Sequence, residues 1–109
     1  MNSFRQTKEF SNWLKKLKDA KGKARILARI NSAMHGNFGD CKAVGDGVSE
    51  MRIPVGPGYR VYYVQIGTVV YTLLCGGDKS SQQRDISRAK DMAKDLRASE
   101  LRAKEKGDE

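Results

Sequence analysis

The stretch VSEMRIPVGPGYRVYYVQI, residues 48–66, decides how the rest of the chain is read. Over residues 48–55, Met51, Ile53 and Val55 alternate with Glu50 and Arg52, the period of a strand with one buried face. Gly56-Pro57-Gly58 then reads as a turn, since glycine tolerates positive φ and proline presets φ near −65°. Residues 59–66 are β-branched and aromatic, which favours a second strand. A hairpin turning about Gly56 sets Arg52 directly opposite Arg60. Any register of the same parity keeps both on one face with Glu50 and Tyr62.

Downstream, Gly67-Thr68 turns again and residues 69–75 are nearly all apolar, the pattern of a strand covered on both faces. Gly76-Gly77 is expected to end the sheet. Ser80 and Gln83 have capping-box spacing, and Ile86, Ala89, Met92, Ala93 and Leu96 continue as a helical stripe. Past Leu96 only Ala98, Leu101 and Ala103 interrupt a charged run, so residues 101–109 are expected to form a charged tail that frays or awaits a partner. Upstream, residues 41–44 form a candidate strand among Gly36, Gly39, Gly45 and Gly47. Before them lie two amphipathic stripes. Phe10, Trp13, Leu14 and Leu17 follow Thr7, a suitable N-cap. Ile26, Leu27, Ile30, Ala33 and Met34 stop at Gly36, and Gly22 is expected to break one helix from the next. Residues 4–7 are an optional first strand. The layout is α+β, in one domain over residues 1–100: two N-terminal helices and a C-terminal helix on an antiparallel or mixed sheet of three to five strands.

The 109 residues carry 21 Lys and Arg against 13 Asp and Glu, a net charge of +8. Residues 1–35 hold a surplus of seven, residues 36–77 balance at zero, and residues 78–109 hold a surplus of one. A polyanionic partner is the expectation, met by the N-terminal third. No apolar run is long enough to span a membrane, and Met1-Asn2-Ser3-Phe4-Arg5 lacks the apolar core of a signal peptide, so a cytoplasmic protein is expected. Cys41 and Cys75 read as buried thiols. The sole histidine, His35, has no partner at metal-ligand or triad spacing, and Gly76-Gly77-Asp78-Lys79-Ser80 lacks the phosphate-loop pattern. Neither a metal nor a cofactor is expected.

Arg52 and Arg60 are two of only three cations in the neutral segment. Like charges placed opposite each other in a sheet are destabilising. An anion arriving between them, best a phosphate matched to the guanidinium fork, is the better explanation; an Arg52–Glu50 pair or two surface arginines is the plain alternative. Lys79, between the last strand and the third helix, is a candidate acid or clamp, or a solvated lysine. Tyr59, Tyr62 and Tyr63 read by default as core or sheet-packing residues; for stacking on a base, parity favours Tyr62. Lys15, Lys16, Lys23, Arg25 and Arg29 lie off the apolar stripes, either solvated or gripping a nucleic-acid backbone.

Taken together, Phe10-x-x-Trp13-Leu14-x-x-Leu17-x-Asp19, Arg25-Ile26-Leu27-Ala28-Arg29-Ile30, Gly36-Asn37-Phe38-Gly39-Asp40, Gly47-Val48-Ser49-Glu50-Met51-Arg52-Ile53, Gly56-Pro57-Gly58-Tyr59-Arg60-Val61-Tyr62, Leu73-Leu74-Cys75-Gly76-Gly77-Asp78-Lys79-Ser80 and Asp85-Ile86-x-x-Ala89 carry a resemblance. From about residue 7 to residue 95 the chain resembles the HigB-like "addiction module killer" branch of the RelE/ParE toxin superfamily. The resemblance implies a RelE-like single domain and a toxin neutralised by a cognate antitoxin, of helix-turn-helix type, through which alone it meets operator DNA. RelE- and HigB-type members cut mRNA in the ribosomal A site, whereas ParE-type members poison DNA gyrase. Arg60 matches the strand arginine that contacts the scissile phosphate, Lys79 falls near the basic residue after the final strand, and Arg52 sits in the preceding strand among other basic positions. The chain departs from members that carry a histidine near the sheet or a C-terminal catalytic tyrosine. The expected function is a metal-independent, ribosome-dependent mRNA endoribonuclease. In it Arg52 and Arg60 stabilise the phosphorane, Lys79 protonates the leaving oxygen and Glu50 assists as base. The rivals are a gyrase-directed toxin and an RNA-binding module without turnover.

Overall fold

The computed structural model describes residues 2–68 and 70–107. Val69 of the expected 69–75 strand and residues 108–109 of the expected tail lie outside the described residues. In chain order the elements are β1 (Ser3–Gln6), α1 (Lys8–Lys16), α2 (Ala20–Met34), β2 (Cys41–Gly45), β3 (Val48–Ile53), β4 (Tyr59–Ile66), β5 (Val70–Asp78), a 3-10 turn (Lys79–Ser81) and α3 (Gln82–Gly107). They build one five-stranded sheet in the order β1-β5-β4-β3-β2. The β2–β3, β3–β4 and β4–β5 pairs are antiparallel, and β1 runs parallel to β5. The optional first strand therefore exists, and the sheet is mixed.

Helices cover both faces. On one, α1 and α2 bury Phe10, Ile26 and Ile30 against Met51, Ile53, Val61 and Leu73. On the other, Ala89 and Ala93 of α3 pack on Val48, Tyr62, Val64, Leu74 and Cys75. Small residues on α3 let the helix axis approach the strands closely, and β5, apolar on both faces, sits between the layers. Burial pushes the Cys75 thiol up to about 12, and Cys41 is half-buried; both are free.

Thr7 caps α1 as expected: its hydroxyl oxygen accepts from Phe10 N at 3.0 Å and the hydroxyl donates to Leu74 O at 2.6 Å. One side chain thus satisfies a helix end and fastens it to β5. Gly36, at φ +97°, follows the α2 C-cap His35, whose Nδ1 lies 2.9 Å from Asn31 O.

Three expectations need correction. The break between the first two helices is not Gly22 but the extended stretch at Leu17, after which Asp19 caps α2 by accepting from Gly22 N at 3.0 Å. Gly22 lies in the first turn of α2 because the Tyr59 ring and the Asp19 carboxylate occupy the space a Cβ would need, 2.5 and 2.7 Å away. Nor does Gly76-Gly77 end the sheet. β5 continues to Asp78, with Gly76 opposite Val61 and Gly77 opposite Arg60; Trp13 presses on Gly76 from one side and Asp85 on Gly77 from the other. Ser80 lies inside the 3-10 turn that leads into α3, and the cap of that turn is Asp78: its carboxylate accepts from Ser80 N at 2.9 Å, and bonds from Ser80 hold it below the usual carboxylate range. Residues 101–107 of the expected charged tail lie in α3, with 101–105 exposed.

Gly22 gives a test with an unusual sign. Gly→Ala inside a helix normally gains up to about 1 kcal/mol. Here the added methyl overlaps Tyr59 and Asp19, and overpacking costs about 1–3 kcal/mol. Gly22→Ala is expected to lower the urea midpoint; a raised midpoint would contradict this packing.

Candidate active site

The β3–β4 register sets Arg52 opposite Arg60 and Glu50 opposite Tyr62, as parity demanded. All four lie on the α3 side of the sheet. Glu50 is fully buried. Its Oε1 accepts from Arg52 Nε at 2.9 Å, and its Oε2 accepts from Tyr62 Oη at 3.0 Å and from Gln82 Nε2 at 2.9 Å. Arg60 Nε stands 3.4 Å from the same Oε2, close enough for an ion pair but not aligned as a hydrogen bond. Burial works against the charged form of Glu50, yet the bonds from Arg52, Gln82 and Tyr62 and the charge of Arg60 outweigh it and hold the carboxyl below its ordinary range. The same contact raises the Arg52 guanidinium. Burial, with the bond to Glu50, drives the Tyr62 phenol far upward.

The opposed arginines are thus reconciled by an anion the chain supplies itself. Glu50 balances one of the two charges and leaves the other for whatever meets the surface. That surface is a cleft of about 370 Å³, whose lining includes Arg52, Arg60, Lys79, Asp40, Tyr59 and the turn at residues 54–58. The Arg52 side chain is 33% exposed and that of Arg60 13%, and both line this cleft. Lys79 is fastened at the rim: its backbone N donates to Pro57 O at 3.4 Å, joining the 3-10 turn to the hairpin. Three cations therefore converge around one opening, with Asp40 the carboxylate among the lining residues. Such a site can hold a phosphate group and stabilise negative charge developing on it.

Two expected roles fail on geometry. Tyr62 has no exposed ring for a base to stack on, because α3 covers the face that parity assigned it. Glu50 is a poor proton acceptor, being buried, held anionic and occupied at both oxygens; it positions the arginines instead. The helix cations disperse. Lys15 and Lys16 are exposed on α1 and Lys23 is half-buried on α2, all outside the cleft lining, while Arg25 lines a neighbouring groove. Arg29 donates to the carbonyls of Arg52, Phe38 (2.9 Å) and Asp40 (3.1 Å), clamping the loop before β2 against the end of β3. Gln82 was not read from the sequence as a site residue; it is 32 positions from Glu50, and no local pattern signals the contact.

Removing the carboxylate leaves two facing guanidiniums, and breaking a pair of this kind costs about 3 kcal/mol. Glu50→Gln should therefore unfold at clearly lower urea than wild type at pH 7. Because the folded carboxyl is depressed, its contribution is present above the unfolded value, about 4.3, and is lost as pH falls through the folded one. The gap between the two proteins should close in acid. A gap independent of pH would show that charge at Glu50 is not the stabilising feature.

No protein-family model matches the sequence. An uncharacterized protein of Haemophilus influenzae is 52% identical over 90 residues, spanning 83% of this chain and 91% of that protein. Among solved structures, a chain of the intact E. coli RelBE toxin–antitoxin complex superposes with a TM-score of 0.60 at 12% identity, over 72% of this chain and 96% of that one. A conserved hypothetical protein from Helicobacter pylori, in its solution structure, gives 0.45 at 15% identity, over 73% and 97%. The architecture is RelE-like α+β, and the chain belongs to the same family as the uncharacterized Haemophilus influenzae protein.

Proposed function

We propose that this chain is the toxin of a type II toxin–antitoxin module and acts as a metal-independent endoribonuclease on mRNA at the ribosome. The observation that carries the reading is the pair of guanidiniums held over buried Glu50 in a cleft that Lys79 closes at the rim. The resemblance to HigB-like toxins and the RelE-like fold support it. In the reaction, the 2′-oxygen of a nucleotide in the cleft attacks the adjacent phosphorus. The bond to the 5′-oxygen of the next nucleotide breaks, leaving a 2′,3′-cyclic phosphate and a 5′-hydroxyl. Arg60 and Arg52 stabilise the pentacoordinate phosphorane, Lys79 protonates the departing 5′-oxygen, and the 2′-hydroxyl proton passes to water in the open cleft. With no strong base offered by the chain, orientation of the mRNA by the ribosome supplies much of the acceleration. A cognate antitoxin would silence the protein, as the toxin–antitoxin nature of the E. coli RelBE complex leads one to expect.

The test is mRNA cleavage on translating ribosomes. Arg60→Ala should cut at least about 100-fold more slowly, the scale of losing one preorganised charge partner. Lys79→Ala should retain RNA binding while losing turnover. Equal cleavage by wild type and Arg60→Ala would overturn the site, and intact mRNA beside relaxed plasmid would favour a gyrase-directed toxin instead.

A further inference from the structure

On the other side of the 54–58 turn lies a larger groove of about 570 Å³, whose lining includes Lys21, Ala24 and Arg25 of α2 with Val55 and Gly56 of the turn. Gly56 also lines the arginine cleft, so the two depressions share a wall. That wall is braced by Tyr59 Oη, which donates to Asp19 Oδ2 at 2.8 Å. Asp19 faces the groove, but its carboxylate is taken up by this bond and by Gly22 N, which hold it in place.

Lys21 and Arg25 are both exposed and stand one helical turn apart. Like charges at this spacing weaken a helix. Beneath the opposed arginines of the cleft the chain placed Glu50; here, among the described residues, neither cation has an ion pair within 4.0 Å. Two cations without an ion-pair contact, Lys21 partly offset by the field of Asp19, thus flank a groove with Val55 and Ala24 in its lining, and its size falls in the ordinary range for small-ligand sites. Cations beside an apolar surface match a nucleotide, which presents a phosphate and a flat base or sugar face together.

Resting on the RNA reading above, we infer that this groove is a flanking nucleotide subsite: an RNA strand held at the arginine cleft crosses the turn at Gly56, and its neighbouring nucleotide sits against Val55 with its phosphate on Lys21 and Arg25. The subsite would bind without reacting. It fixes the strand on one side of the scissile phosphate and so sets which bond reaches Arg60.

The probe is single-stranded RNA with every 2′-hydroxyl methylated, so that binding is read without cleavage, as a labelled dinucleotide and a labelled tetranucleotide in anisotropy titrations. Wild type is expected to bind the tetranucleotide about tenfold more tightly than the dinucleotide. The double variant Lys21→Glu/Arg25→Glu should lose that increment, with dinucleotide affinity within about twofold of wild type, which also reports an intact fold. The tetranucleotide salt slope should fall by about 0.7, one single-strand phosphate. An increment that survives the double change overturns the subsite, and so does an equal loss for both lengths, which would mean a diffuse field. Arg60→Ala separates the two claims. If it weakens the dinucleotide while the increment is absent from wild type, the cleft stands and the subsite falls; if wild type binds neither RNA, the RNA reading falls and takes the subsite with it.

Discussion

A carboxylate removed from water must find partners of its own, and Glu50 finds them on three elements: Arg52 on its own strand, Tyr62 and Arg60 on β4, and Gln82 at the first turn of α3. The rest of the site hangs on that arrangement. It lets two guanidiniums occupy opposed positions in an antiparallel pair, and it ties the start of α3 to the β3–β4 hairpin, where the cleft opens. It also holds the Nε atoms of both arginines toward the carboxylate, while Arg60 Nη1 donates to Gly58 O at 3.4 Å and so ties the guanidinium to the turn. An internal anion is therefore what makes a cationic cleft stable in the absence of a ligand.

The hairpin was legible in residues 48–66 for a simple reason. Strand parity and a turn with few alternatives fix the register between them, so Arg52 opposite Arg60 follows from numbering alone. Thr7 and Gly36 were legible because caps have local rules. Gly22 and Gly76 were not. A glycine that breaks an element and a glycine that admits a neighbour look alike in sequence, and the neighbours that decide, Tyr59 and Trp13, lie far along the chain. Tyr62 failed similarly: parity names a face but not what covers it, and α3 covers this one. Arg29 read as one more basic surface residue, yet its guanidinium serves three backbone carbonyls.

The excess positive charge therefore divides into kinds that composition cannot separate. Arg29 is structural, Arg52 and Arg60 are held against a buried partner, and Lys15, Lys16, Lys21 and Arg25 are free to act at a distance. Only the last kind fades strongly with salt, since Arg52 and Arg60 meet their partner away from bulk solvent.

The parallel pairing of β1 with β5 has a consequence for the order of synthesis. β1 at residues 3–6 finds its hydrogen-bonding partner at residues 70–73, and Glu50 receives its third donor only from residue 82. Emerging from a ribosome, the first two helices have no sheet to lie on and the arginine pair has no completed counter-ion until most of the chain is out. Contacts this distant make folding wait on length. The cleft is thus among the last features to exist, and a nascent chain carries its positive field well before it carries a formed site.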